Sequence, residues 1–408
     1  MIWLRLLLIG FLGWAGAAFA EVPAREDVVG SDQGLQDWVA GFRIRALAAG
    51  IAPAVFDGAM TGLKFRPEVL NHDLHQFEFS KAIWDYLDKA VSEDRVASGK
   101  VAFAKNRALL DRIAEKYGVD ASVIVAIWGL ESAYGQVRGD FATVEALATL
   151  AFAGQRQVFF ETQLFAALRI LQAGDVTAAQ MKGSWAGAMG HTQFMPGTYL
   201  ELAVDFDGDG RRDIWGQDPT DALASTAAFL ARWGWQKGAP WGVEVALPAG
   251  FDVLQAGEKL RRSAADWAAL GVKRVGGGAL PEGVASVLLP GGARGAAFLI
   301  YGNFHVLEHY NTADAYVIAV GHLADRIIGG PAIQVSWPRD LRVLSFDERV
   351  ELQDRLTQAG FDAGGSDGRI GPKTIGAIRG FQRARGMVPD GYASLDVLGR
   401  LRTGGGPE

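Results

Sequence analysis

Glu131 stands near the end of the segment VDASVIVAIWGLESAYG, in which Val123 to Leu130 are apolar on nearly every helical face. A helix of that kind is buried all round rather than amphipathic, and Asp120 is its candidate N-cap. A carboxylate closing it has two readings. The helix surfaces there, or burial raises the acid towards general-acid duty. A second chemistry is written in DFDGDGRRD, Asp205 to Asp213. Carboxylates at loop positions 1, 3 and 5 (Asp205, Asp207, Asp209), glycine at 6 and the Arg211 carbonyl at 7 can wrap a hard cation, calcium by preference. Position 12, a bidentate glutamate in an ordinary EF-hand, is Gly216, so Asp221 is the candidate closing ligand. The alternative is an acidic Asx-turn loop without metal.

Other constellations are weaker. His72 and His75 stand at i, i+3 without a third ligand nearby, and His305 and His309 fall in a strand-like stretch; all four read as ordinary histidines. There is no H-E-x-x-H, G-x-S-x-G or P-loop, and no cysteine to act as nucleophile or to carry a lipid. No organic cofactor is implied. A net charge of -6 with no long basic run excludes a nucleic-acid footprint.

These groups need a scaffold, and the pattern around them is mostly helical. Leu35, Trp38, Val39 and Phe42 share one face, a second helix starts after Pro53, and a third runs from Asn106 to Tyr117 with Gly118 as its stop. Thr143 to Ala153 and Arg156 to Ala173 are helical by period, and another helix runs from Pro219 to Trp233. VEVALP, ASVLLP and AAFLIYG between Gly and Pro clusters read as strands, with a short helix at Ala264 to Ala269 and a longer one from Thr312 to Ile328. The prolines of PAIQVSWPRD mark a linker at residues 331–342. Residues 343–402 carry three apolar faces, Val350/Leu352/Leu356, Ile375/Ile378/Phe381 and Leu395/Val397/Leu398, which fit three short helices. The fold class is α+β, mainly α. Residues 1–20, with Arg5, an apolar run and Ala18-Phe19-Ala20, read as a signal peptide, so the expected address is the periplasm.

ESAYG at Glu131 to Gly135, SWAGAMGHTQFMPGT from Ser184 to Thr198, the VDFDGDG loop and YNTADAY from Tyr310 to Tyr316 together resemble the soluble lytic murein transglycosylases of the MltB type. The resemblance covers roughly Leu35 to Ile328, within a catalytic domain drawn at residues 31–330. DGRIGPKTIGAIRGFQRARGMVPDG, from Asp367 to Gly391, resembles a type 1 peptidoglycan-binding domain. The resemblance implies a lysozyme-like helical domain with a small β-containing subdomain, in which Glu131 is the single catalytic acid and base. It implies cleavage of the MurNAc–GlcNAc bond of peptidoglycan without water, leaving a 1,6-anhydro end, with no second carboxylate as nucleophile. The family's substrate contacts carry over onto Ser184, Gln193, Phe194, Tyr310, Asn311 and Tyr316, of which Phe194 and Tyr316 have core packing as their alternative. Tyr134 departs from members with tryptophan there, keeping an aromatic. Arg379, Arg383 and Arg385 could meet stem-peptide carboxylates or form a solvated face. The alternatives are a hydrolytic muramidase and a non-catalytic wall-binding scaffold. Glycan strands are the expected partner, other cell-wall enzymes are candidates, and a monomer is the default.

Overall fold

The computed structural model describes residues 30–75 and 81–404, without the side chains of 74 and 75. The signal peptide expected at residues 1–20 and the His75 side chain lie outside that description. In chain order the first helices are α1 (Asp32–Ala48), α2 (Pro53–Met60), α3 (Pro67–His75), α4 (Ile83–Ala90), α5 (Glu93–Lys105), α6 (Arg107–Tyr117) and α7 (Ala121–Ser132). They are followed by β1 (Phe141–Ala142), α8 (Thr143–Ala153), α9 (Gln157–Ala173), β2 (Lys182–Gly183), α10 (Pro196–Leu202) and α11 (Thr220–Arg232). Next come β3 (Gly242–Ala246), β4 (Arg262–Ser263), α12 (Ala264–Ala269), β5 (Lys273–Arg274), β6 (Val284–Leu288) and β7 (Ala297–Ile300). The chain closes with α13 (Gly302–Leu307), α14 (Asp314–Ile327), α15 (Phe346–Gln358), α16 (Pro372–Ala384) and α17 (Leu395–Arg402). Two compact units result, one of described residues 30–75 and 94–234, the other of 81–93 and 235–404.

The first unit is helical, with one short β1–β2 ladder. α7 is its axis: every residue from Val123 to Ser132 is buried, and the helix packs against α6 and α11. Asp120 holds the N-cap position, but its side chain makes no capping bond. Pro53 opens α2 at a position where its missing N–H costs nothing. Gly118, at φ 66°, stops α6 in the left-handed conformation that glycine adopts without strain.

The second unit is built on a five-stranded antiparallel sheet of order β4-β6-β7-β3-β5. Val245, Val287 and Leu299 point to one face and bury there with Trp267 of α12, whose indole donates to the Ala285 carbonyl at 2.9 Å. Alternation sends Glu244 to the other side, where its carboxylate takes the backbone N–H groups of Gln334 and Val335 at 2.9 and 2.7 Å. The stretch holding His305 is helix α13 rather than strand. The β7 ladder ends where Ile300 meets both Gly242 and Ser286, and the Asn303 amide then binds Gln236 and Ala239, turning the chain into a helix.

The tail is a three-helix unit around Leu352, Leu356, Ile378, Phe381, Val397 and Leu398. A reciprocal Ser345–Glu348 capping box starts α15. Val350 and Ile375, expected in that core, are only half-buried. Buried Arg349 donates to the Gly368 and Leu344 carbonyls, while Gln353 binds Gly368 N–H and the Arg369 carbonyl. The tail is pinned to the sheet. Arg379 donates to the Ala256 carbonyl at 3.1 Å and the Asp390 carboxylate accepts Ala293 N–H at 2.9 Å. Residues 331–342 carry no helix or strand, yet Trp337 packs beside Trp84 and Phe298, and Arg339 pairs with Asp88 at 2.7 Å. Among the described residues no helix is long and apolar enough to cross a membrane.

Candidate active site

Glu131 occupies the last turn of α7 and is 5 % exposed, which decides between the two readings of that position in favour of burial. The chain leaves the helix through backbone that L-residues avoid. Ala133 and Tyr134 have φ of 49° and 60°, and with Gln193 at 52° they are the non-glycine residues at positive φ among those described. Each costs on the order of 1–3 kcal/mol, and such strain persists only where surrounding structure over-determines it. Here the determinants are visible. Ala133 and Tyr134 N–H groups bond back to Gly129 and Trp128. The Tyr134 ring lies so close over Gly129 that a Cβ there would come within 2.6 Å of it. The Tyr134 hydroxyl donates to the Arg95 carbonyl at 2.8 Å, and Arg95 returns a bond to the Gly129 carbonyl at 3.2 Å. Burial pushes the Tyr134 hydroxyl pKa far up, so it remains a donor.

The glycine-rich segment supplies the neighbouring groups in the same unit. Ser184 and Ala188 close a tight turn, with Ser184 N–H on the Ala188 carbonyl at 2.8 Å and Ala188 N–H on Ser184 Oγ at 3.1 Å. Met189 and Phe194 exchange two backbone bonds, which brings Gln193 round at positive φ. Gln193 Nε2 is committed to the Arg138 and Gly190 carbonyls at 3.0 and 2.8 Å. Phe194 is 1 % exposed, with its ring 6.1 Å from that of Phe229. Tyr310, Asn311 and Tyr316 belong to the other unit, where the two tyrosine rings stack 6.4 Å apart at 9°. Both are buried, and Asn311 Oδ1 accepts Ala313 N–H at 3.0 Å to lead into α14.

Three residues with clear roles carried no assignment in the sequence reading: Trp128, Arg138 and His191. His191 is 3 % exposed; its Nδ1 lies 3.1 Å from Trp128 Nε1 and its Nε2 2.9 Å from the Gly216 carbonyl. Arg138 donates to the Trp215 and Gly216 carbonyls. The available signals were a histidine two places before Gln193 and a lone indole inside an otherwise aliphatic helix.

The acidic loop is organised as expected in part. One oxygen each of Asp205, Asp207 and Asp221 lie within 4.8 Å of one another. Asp209 is not in that group; its carboxylate accepts Arg211 N–H at 2.8 Å. Asp221 is 3 % exposed, and its two oxygens take Phe206 and Asp213 N–H at 2.8 and 2.9 Å. Burial raises its pKa to about 6, with the Asp207 and Asp205 charges adding to the rise. At Gly216, position 12 of the loop, a Cβ would meet the Asp213 carboxylate, which would have to shift to admit a side chain.

Two other histidines have described neighbours. The His72 ring stacks on Trp185 at 5.7 Å. His305 Nδ1 pairs with Glu308 at 2.6 Å, and those two groups and Glu258 lie within 4.8 Å of one another. Their charges reach Asp314: burial, then the Glu258 and Glu308 charges, push its pKa up to about 7.

Comparison with known proteins gives a consistent answer. Residues 34–325 match the family model of the transglycosylase SLT domain and residues 346–401 that of a peptidoglycan binding domain. Membrane-bound lytic murein transglycosylase B of Escherichia coli is 34 % identical over 250 residues, 59 % of this chain and 66 % of that protein. The crystal structure of SltB3 from Pseudomonas aeruginosa in complex with NAG-anhNAM-pentapeptide aligns at a TM-score of 0.88 with 47 % identity, over 91 % of this chain and 100 % of that one. The Escherichia coli lytic transglycosylase Slt35 in complex with calcium aligns at 0.61 with 30 % identity, over 73 % of this chain and 93 % of that one. A helical SLT fold with small antiparallel sheets and a helical tail, matched over most of its length, places this chain in the SLT-domain lytic transglycosylase family.

Proposed function

We propose that this protein cleaves the β-1,4 bond between N-acetylmuramic acid and N-acetylglucosamine of peptidoglycan without water, leaving 1,6-anhydro ends. The observation that carries the reading is Glu131, a carboxylate 5 % exposed at the end of a buried helix, next to strained backbone. A chain 47 % identical to this one that holds NAG-anhNAM-pentapeptide supports the same product. Glu131 first protonates the leaving oxygen; as carboxylate it then takes the proton of the muramyl C6 hydroxyl as that oxygen attacks C1. No water enters, so no carboxylate nucleophile is required. Gln193, with both Nε2 hydrogens committed, has its amide oxygen for an acetamido N–H. Ser184, Phe194, Tyr310, Asn311 and Tyr316 are the further proposed substrate contacts.

The test is product analysis on purified sacculi. Glu131→Gln should release no anhydromuropeptides while sacculus binding remains, and full activity in that variant would refute the assignment. Hydrolysis would instead yield products one water heavier with a reducing muramic end, and binding without soluble product would mark a scaffold.

Calcium is proposed at Asp205, Asp207 and Asp221, with Asp209 and the Arg211 carbonyl as further oxygens. The donor set, all hard oxygen around a backbone turn, suits that ion, and a 30 % identical chain is known with calcium. Bound there, the ion would neutralise clustered carboxylates and brace the loop. Calcium added to chelator-treated protein should raise its melting temperature, and Asp221→Ala should abolish the rise. The tail is proposed to grip peptidoglycan and the protein to work in the periplasm, a reading that cell fractionation tests.

A further inference from the structure

His191 lies where three segments meet. Its backbone N–H donates to the Ile214 carbonyl at 3.0 Å, at the exit of the acidic loop. Its carbonyl accepts Ser132 Oγ at 2.6 Å, from the residue after Glu131. The same Ser132 Oγ accepts Gly135 N–H at 3.0 Å, which closes the strained turn. On the ring, Nδ1 faces Trp128 Nε1 at 3.1 Å, one helical turn before Glu131, and Nε2 faces the Gly216 carbonyl at 2.9 Å.

The partners fix the tautomer. An indole N–H can only donate, so Nδ1 is the acceptor and the proton sits on Nε2, where it donates to Gly216. Arg138 Nη1, 3.1 Å from Nε2, is also only a donor, and it spends its hydrogens on the Trp215 and Gly216 carbonyls instead. Burial, the largest influence, holds the ring pKa below its ordinary value, in keeping with a neutral imidazole. The fit is tight at Gly135 (φ 84°), where a Cβ would come within 2.6 Å of the ring.

We propose that His191, as a neutral Nε2–H imidazole, is the positioning residue that couples the exit of the acidic loop at residues 214–216 to the turn carrying Glu131. Through its ring and backbone the geometry of Gly216 and Ile214 fixes Trp128 and Ser132, and these set where the Glu131 carboxylate stands. His191 itself touches no reacting atom. This inference rests on Glu131 being the acid and base.

Three substitutions separate the bonds. His191→Phe keeps an aromatic ring beside Trp128 and removes both ring bonds. His191→Gln restores a donor near Nε2, and His191→Asn an acceptor near Nδ1. On sacculi the Phe variant should lose about tenfold or more in kcat through a misplaced Glu131 carboxylate, with KM and sacculus binding unchanged. His191→Gln should recover most of that loss and His191→Asn less, because the link to the loop runs through Nε2. If the Phe variant does not fold, the order of Gln over Asn decides.

A double-mutant cycle supplies the coupling itself. The Asp213 carboxylate accepts Trp215 and Gly216 N–H at 2.8 and 2.9 Å and so holds the loop exit. Asp213→Ala should lower kcat in the wild-type background and add almost nothing in His191→Phe. Full kcat in a folded Phe variant, equal losses in Gln, Asn and Phe, or additive losses with Asp213→Ala would each overturn the proposal. An active Glu131→Gln would instead overturn the reading beneath it, so the two failures are distinguishable.

Discussion

Asp314→Asn should make the protein more stable above neutral pH and leave it unchanged near pH 4. Asp314 opens α14, and burial followed by the Glu258 and Glu308 charges lifts its pKa to about 7, opposed in part by a backbone hydrogen bond and by His305. Because the folded-state value lies above the unfolded one, folding costs nothing at this residue below about pH 4, and stability is lost as the pH rises to about 7. A rise from 3.8 to about 7, at roughly 1.4 kcal/mol per tenfold change in acidity, amounts to ~4 kcal/mol for an enclosed charge. Asp314 is part-exposed, and solvent screening halves this to ~2 kcal/mol. Asparagine keeps the shape and removes the charge. Thermal melting at about pH 8.5 should then show a gain of roughly 4–8 °C over the wild type, shrinking to nothing at about pH 4.5. An asparagine variant that melts at or below the wild-type temperature at the higher pH would refute the reasoning.

Gly135→Ala should cost both folding and activity, since φ 84° and a methyl 2.6 Å from the His191 ring forbid the side chain; urea titration should report a loss of about 2 kcal/mol or more. Ser345→Ala removes the capping box of α15 and should lower the stability of the tail by about 1 kcal/mol, read by tail-specific hydrogen exchange. Ile378→Ala empties the centre of the tail core, where Ile378 is 0 % exposed, and should cost about 2–5 kcal/mol and sacculus binding with it. His191, facing Arg138, Asp213 and Asp218, has its pKa lowered chiefly by burial. Its contribution is therefore complete above about pH 6.5 and lost as the pH falls through the folded-state value, so His191→Phe should flatten the acid side of the stability profile.

Much of this architecture was legible because local patterns and tertiary demands agree. The all-round apolar run before Glu131 could only be a buried helix, and α12 falls at Ala264–Ala269, the residues whose period marked it. What was hidden depended on partners far along the chain. The stretch of His305 looked like strand until the β7 ladder ran out of neighbours at Ile300. Phe194 is buried beside Phe229, a partner 35 residues along the chain that no local pattern reveals. Arg379, read as either a ligand contact or part of a solvated face, also donates to the Ala256 carbonyl, a partner far along the chain. The positive φ of Ala133, Tyr134 and Gln193 leaves no mark in composition, since none is glycine or asparagine.

The attachment of the tail has a mechanical meaning. A binding module on a loose leash lets an enzyme graze anywhere within the radius of its linker, and a longer leash widens the circle. Here Arg379, Asp390 and the Glu244 clasp on Gln334 and Val335 remove the slack. The tail and the sheet beneath it behave as a fixed gauge, with the spacing from the tail helices to the Tyr310–Tyr316 pair set by folding rather than by chain statistics. On the proposed function a glycan strand held by both would be measured against that spacing, and lengthening residues 331–342 would blunt the gauge instead of extending the reach.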